Sequence, residues 1–359
     1  RVNAQGLVEN VQILSSNLVQ NPSFSEEGVQ EVSNGSFSQE GVQLVTNGDF
    51  ATDTDWTKGT GWSISGGSAN CDGTQTTQSV LQTANNLALG VGKIFKISFD
   101  IIDYSSGSLA LTLVGTGGLE FNNINANGSY VGYSINPSTG NGQLQVVADA
   151  DFIGSIDNVS VREVGQDWVL ENTWTIGNSV ANGNGAVGST EELIQFNAFT
   201  LGKTYKVTYD ILNYVSGSIQ FQLAGGATLS GTTRSANGTF TEYVVATANH
   251  TLLKFKAGSP FNGSITNISV KEVGQNWTLD TGWSIGDNKM TGNSAAGDSY
   301  QDLNLSGVEK TFKITFDCIV NSGQFAVRFI NKQWVSASGT YTIYETTTSS
   351  RLFVDGRAS

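Results

Sequence analysis

Residues 152–168, FIGSIDNVSVREVGQDW, and residues 261–277, FNGSITNISVKEVGQNW, are two copies of one stretch, 109 residues apart. Apolar Ile156, Val159 and Val161, like Ile265, Ile268 and Val270, alternate with polar neighbours, which predicts a closing β-strand. Val-Gly-Gln at 164–166 and 273–275 reads as a short tether, and Trp168 and Trp277 open the following unit. A period this long indicates tandem β-domains rather than a solenoid of small repeats.

Outward from these copies, three units share one plan. Each opens with two tryptophans: Trp56 and Trp62, Trp168 and Trp174, Trp277 and Trp283. A central strand follows: FKISFDI (95–101), YKVTYDI (205–211) and FKITFDC (312–318). Its apolar residues fall at every second position, so one face enters a core and the other looks out, as in a sandwich. GSLALTL (107–113), GSIQFQL (217–223) and GQFAVRF (323–329) repeat the alternation. The expected fold class is all-β, with sandwich modules at 47–164, 165–273 and 274–359 behind a short β-repeat stem at 1–46. The third module ends on RLFVDGRAS without a closing strand. The expectation is an open sheet edge, with the native polypeptide continuing past 359 or another chain completing the unit.

The stem has its own period. SFSEEGVQEVSNG (23–35) is followed by SFSQEGVQLVTNG (36–48), and a third copy starts at Asp49-Phe50. One Phe and two or three Val or Leu per copy cannot make a core. The segment is therefore expected to wind with sister chains, giving a homo-oligomer and most simply a trimer. An acidic linker without fixed structure is the alternative, since 1–46 holds five Glu and one Arg.

Composition excludes several functions. The net charge of −13 argues against nucleic acid, which needs clustered Lys and Arg, and against anionic membranes. No run of 18 apolar residues exists, so no membrane-inserting helix is expected. Cys71 and Cys318 fall in different units, which is not a disulfide framework. Cys318 stands where Ile101 and Ile211 stand in the other units and reads as a small buried hydrophobe.

Catalytic inventory is thin. His250 is the single histidine, in a loop-like ATANHT, and reads as an exposed or capping residue. No zinc spacing, nucleophile elbow or phosphate loop appears, so no enzyme activity is expected. Asp100, Asp210 and Asp317 recur four residues after Lys96, Lys206 and Lys313. Residues i and i+4 of a strand lie ~13 Å apart, too far for a mutual pair, so a solvated face with cross-strand charge pairs is expected.

Three stretches of the first unit resemble carbohydrate-binding modules of families 4, 9 and 22: LVTNGDFATDTDW (44–56), Gly128-Ser129-Tyr130 and SIDNVSV (155–161). The resemblance implies a jelly-roll sandwich. Units two and three lack the Asn-Gly-x-Phe opening. The family often holds a structural calcium through a Glu after that Phe and an Asp on the closing strand. Here the Glu position is Ala51, leaving Asp157 as the one candidate, too few for a cation wanting about six to eight oxygens unless carbonyls add to it. No cofactor is required, with calcium in module 1 the single possibility.

Glycan binding would stack aromatic rings on sugars. The rings outside the core pattern are Trp334, Tyr104, Tyr214 and Tyr130, and Trp334, unmatched in the other units, is the first choice. Degenerate modules behind short glycine-rich repeats also resemble the fibres of bacteriophages and related viruses. That resemblance implies a virion structural protein, a tail or head fibre on the virion surface. It would contact other virion proteins and a host cell-surface glycan. A secreted or cell-surface bacterial adhesin is the alternative.

Overall fold

The computed structural model describes residues 15–114, 121–136, 142–171, 174–187, 191–293, 297–305 and 307–357. These form strands and turns, with no helix among them.

Module 1 is a sandwich of two five-stranded sheets. One runs Gly128–Ile135, Ile94–Ser106, Ile153–Val164, Ser68–Asp72, Trp62–Ser65; the other runs Trp56–Lys58, Ser79–Thr83, Leu144–Ala148, Leu109–Leu113, Phe121–Ile124. The alternating residues Ile97, Phe99 and Ile101 of one sheet meet Leu109, Leu111, Leu144 and Val146 of the other in a single core. Burying each such side chain contributes roughly 1.5–3 kcal/mol. Trp56 and Trp62 lie in this core, as Trp168, Trp174, Trp277 and Trp283 do in theirs.

Module 2 repeats the plan with fewer breaks. Thr204–Ala224 and His250–Val273 each pass from one sheet to the other as continuous strands. Register shifts between Leu212 and Ile219 provide the bend. Module 3 differs. Asp298–Asp302, Arg351–Arg357 and Gln324–Arg328 form its second sheet, but its first sheet is split. Trp283–Gly286 pairs with Lys289–Gly292, and Lys310–Cys318 pairs with Gly339–Thr347. The closing strands of modules 1 and 2 are central in their sheets, and in module 3 the two corresponding hairpins are not paired with each other, so the expected open edge lies between them rather than at the margin.

The 13-residue repeats are not a separate stem. Phe24, Phe37 and Phe50 pack against Trp277, Trp168 and Trp56, with ring centroids 5.4, 5.2 and 5.0 Å apart. The three phenylalanines therefore serve modules 3, 2 and 1, in reverse order, and the strand after Phe24 or Phe37 passes to the next module, 2 or 1. The same turn leads into each Phe, with left-handed backbone at Asn21 and Phe24, Asn34 and Phe37, Asn47 and Phe50. Asn34 and Asn47 accept the indole N–H of Trp168 and Trp56 on their carbonyls, at 3.1 and 2.9 Å. The strands Glu27–Gln30 and Glu40–Gln43 pair antiparallel with the ends of the closing strands of modules 2 and 1. The Asn-Gly-x-Phe opening that module 2 lacks locally is thus Asn34-Gly35-Ser36-Phe37, and module 3 takes Asn21-Pro22-Ser23-Phe24. Val32 and Phe37 are buried in module 2 and Val45 and Phe50 in module 1. With apolar cover supplied by its own chain, the segment no longer requires sister strands. Residues 1–14 of the expected stem lie outside the described residues.

Neighbouring modules meet through a recurring contact. Tyr133 lies on Gly177 and accepts the Asn178 N–H at 2.9 Å, and Tyr243 lies on Gly286. Tyr344, at the same place in module 3, is 59% exposed. Two further expectations are corrected. His250 is 1% exposed, opposite Phe199 at the end of the module 2 core, and burial pulls its pKa down. Cys318 is half-buried, although Ile101 and Ile211 are fully buried, because its strand pairs with Gly339–Thr347 on one side only, whereas theirs are flanked on both.

Candidate functional site

The four aromatic candidates are not brought together. Tyr104 and Tyr214 are half-buried twins. Each hydroxyl donates to a glycine carbonyl three residues on, Gly107 and Gly217, at 3.0 Å. They clamp the bend between the two sheets. Tyr130 stacks on Phe99 with ring planes 18° apart, and its hydroxyl donates to the Ala126 carbonyl. Asp157 accepts the backbone N–H of Asn158. Among the described residues no group of three or more His, Cys, Asp and Glu is placed to hold a metal ion. The recurring aspartates do not form charge pairs with the lysines beside them. Asp100 and Asp210 accept the side-chain amides of Asn158 and Asn267 on the closing strands. Lys96 and Lys206 instead reach Glu40 and Glu27 of the N-terminal repeats.

Trp334 lies in a different setting. Its ring is flanked by the Arg357 guanidinium at 4.4 Å and the Lys332 ammonium at 5.5 Å. Arg357 also donates to the Gln324 side chain at 2.6 Å. The loop carrying Trp334 is fixed from below by Glu345, a buried carboxylate that accepts the backbone N–H groups of Phe329, Ile330 and Asn331 at 2.9, 2.6 and 2.7 Å.

The adjoining outer sheet face continues the pattern. Arg328 lies over Phe353 at 4.6 Å and Arg351 over Tyr300 at 4.3 Å. Arg328 bonds Asp298 and Asp355, each at 2.7 Å, and Lys332 reaches Asp355 at 3.1 Å. Burial, with Asp298 alongside, pushes the Asp355 carboxyl up, and the cations opposite offset this only in part. In a chain of net charge −13, four cations and three rings gather on one module. The cross-strand pair Tyr300–Phe353 is Ile194–Lys254 in module 2 and Gln82–Gln145 in module 1. Of this group of rings and cations, the sequence reading singled out Trp334 and did not single out Tyr300, Phe353, Arg328 or Arg351. The period-two parity of RLFVD, which puts Arg351, Phe353 and Asp355 on one face, was the available signal.

No protein-family model and no curated protein matches this chain. Among solved structures, it is similar to the tandem of two family 22 carbohydrate-binding modules of Paenibacillus barcinonensis Xyn10C, at 10% identity, covering 66% of this chain and 99% of that one, with a TM-score of 0.28. It is also similar to allantoicase, at 11% identity over 66% and 92% of the two chains, TM-score 0.24. A third likeness is to the triple jelly-roll turret protein of an archaeal virus, at 14% identity over 85% of each chain, TM-score 0.19. At such values no function comes with the likeness. The class rests on the chain's own architecture: an all-β protein of tandem jelly-roll sandwiches.

Proposed function

We propose that this is a non-catalytic attachment protein, a structural component of a virion appendage whose third module holds an acidic glycan. The observation that carries the reading is Trp334 flanked by Arg357 and Lys332. An indole offers an apolar face to a sugar ring, and a guanidinium offers a planar fork to a carboxylate. Among the described residues, module 3 alone combines these groups, while the shared contacts of all three modules serve the fold. Modules joined by repeated Tyr–Gly contacts and bound along their length by the N-terminal repeats make a row suited to projecting one such face.

Titration calorimetry against uronate- or sialate-containing and neutral oligosaccharides tests the site. Binding of the acidic set, lost in Trp334→Ala and in Arg357→Ala, is the expected result. Equal binding by those variants, or none by the parent, would remove it. The same face would serve a secreted or cell-surface adhesin, the alternative reading. Immunogold labelling of purified particles against that of cell surfaces and culture medium separates the two.

A further inference from the structure

His250 is the single histidine of the chain and is 1% exposed. It stands opposite Phe199, at the end of the strand Glu192–Phe199. Phe199 is buried too and meets Tyr205 edge to face, with ring centroids 5.1 Å apart. Among the described residues neither imidazole nitrogen has a hydrogen-bond partner. A neutral imidazole fits such a place as a flat ring. An imidazolium would bring a charge and two N–H donors into it, and a buried charge without a partner is costly.

The strand beside the imidazole also grips an N-terminal repeat. The buried side chain of Gln195 accepts the Ser33 N–H at 2.9 Å and donates to the Ser33 carbonyl at 2.8 Å. Asn197 donates to the Glu31 carbonyl. That repeat crosses the junction between modules 1 and 2. Asn34 donates to the Gln166 carbonyl in the tether and accepts the Trp168 indole N–H on its own carbonyl, while Glu40–Gln43 pairs with the closing strand of module 1. Trp168 in turn lies opposite Gln195. Contacts therefore run without a break from His250 through Phe199, Asn197 and Gln195 to Ser33 and the tether. Gln301 clamps Gln20 in the same two-bond way in module 3, which has no histidine.

We propose that His250 is an acid latch: on taking up a proton it forces the end of Glu192–Phe199 off the module 2 core and loosens that strand's grip on the repeat crossing the junction between modules 1 and 2. The proposal stands apart from the glycan reading, since it concerns a different module.

Linkage gives the sign. Burial, against a smaller pull from the Ala227 backbone, holds the imidazole below its ordinary value of 6.5. A ring freed by opening takes up its proton at that ordinary value, before the buried ring does. The closed state is fully favoured above pH 6.5 and loses ground below it. Its opening constant rises by about tenfold per pH unit until the folded value is reached.

The charges on the surrounding elements are occupied elsewhere. Lys203, in the turn after Phe199, bonds Glu272 at 2.9 Å. Lys254, on the strand of His250, bonds Glu192 at 2.8 Å. The Tyr205 hydroxyl accepts the Thr200 N–H at 2.9 Å. Glu31, on the repeat, is pushed up by burial first and by Glu272 second. A raised carboxyl gains stability as pH falls through its folded value, so Glu31 opposes the latch, and it does so equally when His250 is replaced.

Two measurements on the whole chain test the latch. Because the histidine is single, one imidazole Hε1 signal reports its titration by NMR, and a midpoint below 6.5 is expected. Amide hydrogen exchange, corrected for its own pH dependence, reports opening. Ser33, held by Gln195, and Leu201, held by the Asn249 side chain, should exchange together, faster by about tenfold per pH unit below 6.5. Gln20, held by Gln301, should not change. In His250→Gln the acceleration at Ser33 and Leu201 disappears. Should that variant fail to fold, the two readouts on the parent decide. Titration of the ring at 6.5 with protection intact overturns the proposal. So does acceleration at Leu201 without Ser33, equal acceleration at Gln20, or acceleration that persists in His250→Gln.

Discussion

Phe24 and Trp277 are 253 residues apart in the sequence, yet their rings lie 5.4 Å apart. Between them the chain builds two complete modules. The relationship holds for each repeat and shows that the N-terminal segment is a shared strap, contributing one turn of each sandwich in reverse order.

The strap contacts predict module-specific destabilisation. Phe37 is 2% exposed, so Phe37→Ala removes a full aromatic contact from module 2 and costs ~3–5 kcal/mol. Hydrogen exchange should show module 2 opening first. Phe50→Ala moves the effect to module 1, and Phe24→Ala, at a half-buried ring, destabilises module 3 by less.

Gly35→Ala tests close backbone approach. The added Cβ would lie 2.0 Å from the Ile268 carbonyl oxygen, so the repeat and the strand must separate. Strain of this kind costs ~1–3 kcal/mol. Urea denaturation followed by Trp168 fluorescence should show an earlier midpoint, and Gly66→Ala, whose Cβ meets nothing within 4 Å, gives a comparison dominated by its left-handed backbone alone.

Glu27 makes strap docking pH-dependent. Hydrogen bonds from Lys206 first and Lys271 second hold its carboxyl below its ordinary value of 4.5. A depressed carboxylate stabilises the fold above its unfolded pKa and loses that contribution as pH falls through the folded value. The window therefore lies below about pH 4.5. The group is partly exposed, so the effect is at most ~1 kcal/mol. Thermal melts of Glu27→Gln should differ from the parent at pH 6, and the difference should shrink as pH falls below about 4.5.

Glu345 predicts the rigidity of the Trp334 loop. Glu345→Ala leaves the buried Phe329 N–H and the partly buried Ile330 and Asn331 N–H groups without their acceptor, costing roughly 1–3 kcal/mol in module 3. Trp334→Ala, by contrast, should leave the melting temperature within a degree or two while removing glycan binding. Paired calorimetric melts and binding isotherms separate the two roles.

Alternation in FKISFDI, YKVTYDI and FKITFDC made the sandwich halves legible, because side-chain period is a property of the local chain. Trp334 was legible for the same reason, as a ring out of pattern. The partner of the repeats was not. A segment with one Phe and two Val looks coreless until its receptor is known, so Phe24, Phe37 and Phe50 suggested sister chains. Cys318 and His250 were misplaced by the same limit, since burial depends on neighbours from other strands.

The amino-acid sequence by itself determined strands, turns, three units and a closing segment present twice. Only the tertiary structure decided that the repeats fold back in reverse order, that the closing strand is central, and that Arg328, Arg351, Arg357 and Lys332 converge on three rings. Those features depend on contacts between residues far apart in the chain, whose free energy arises when water leaves both surfaces together, and no local pattern records which surfaces will meet.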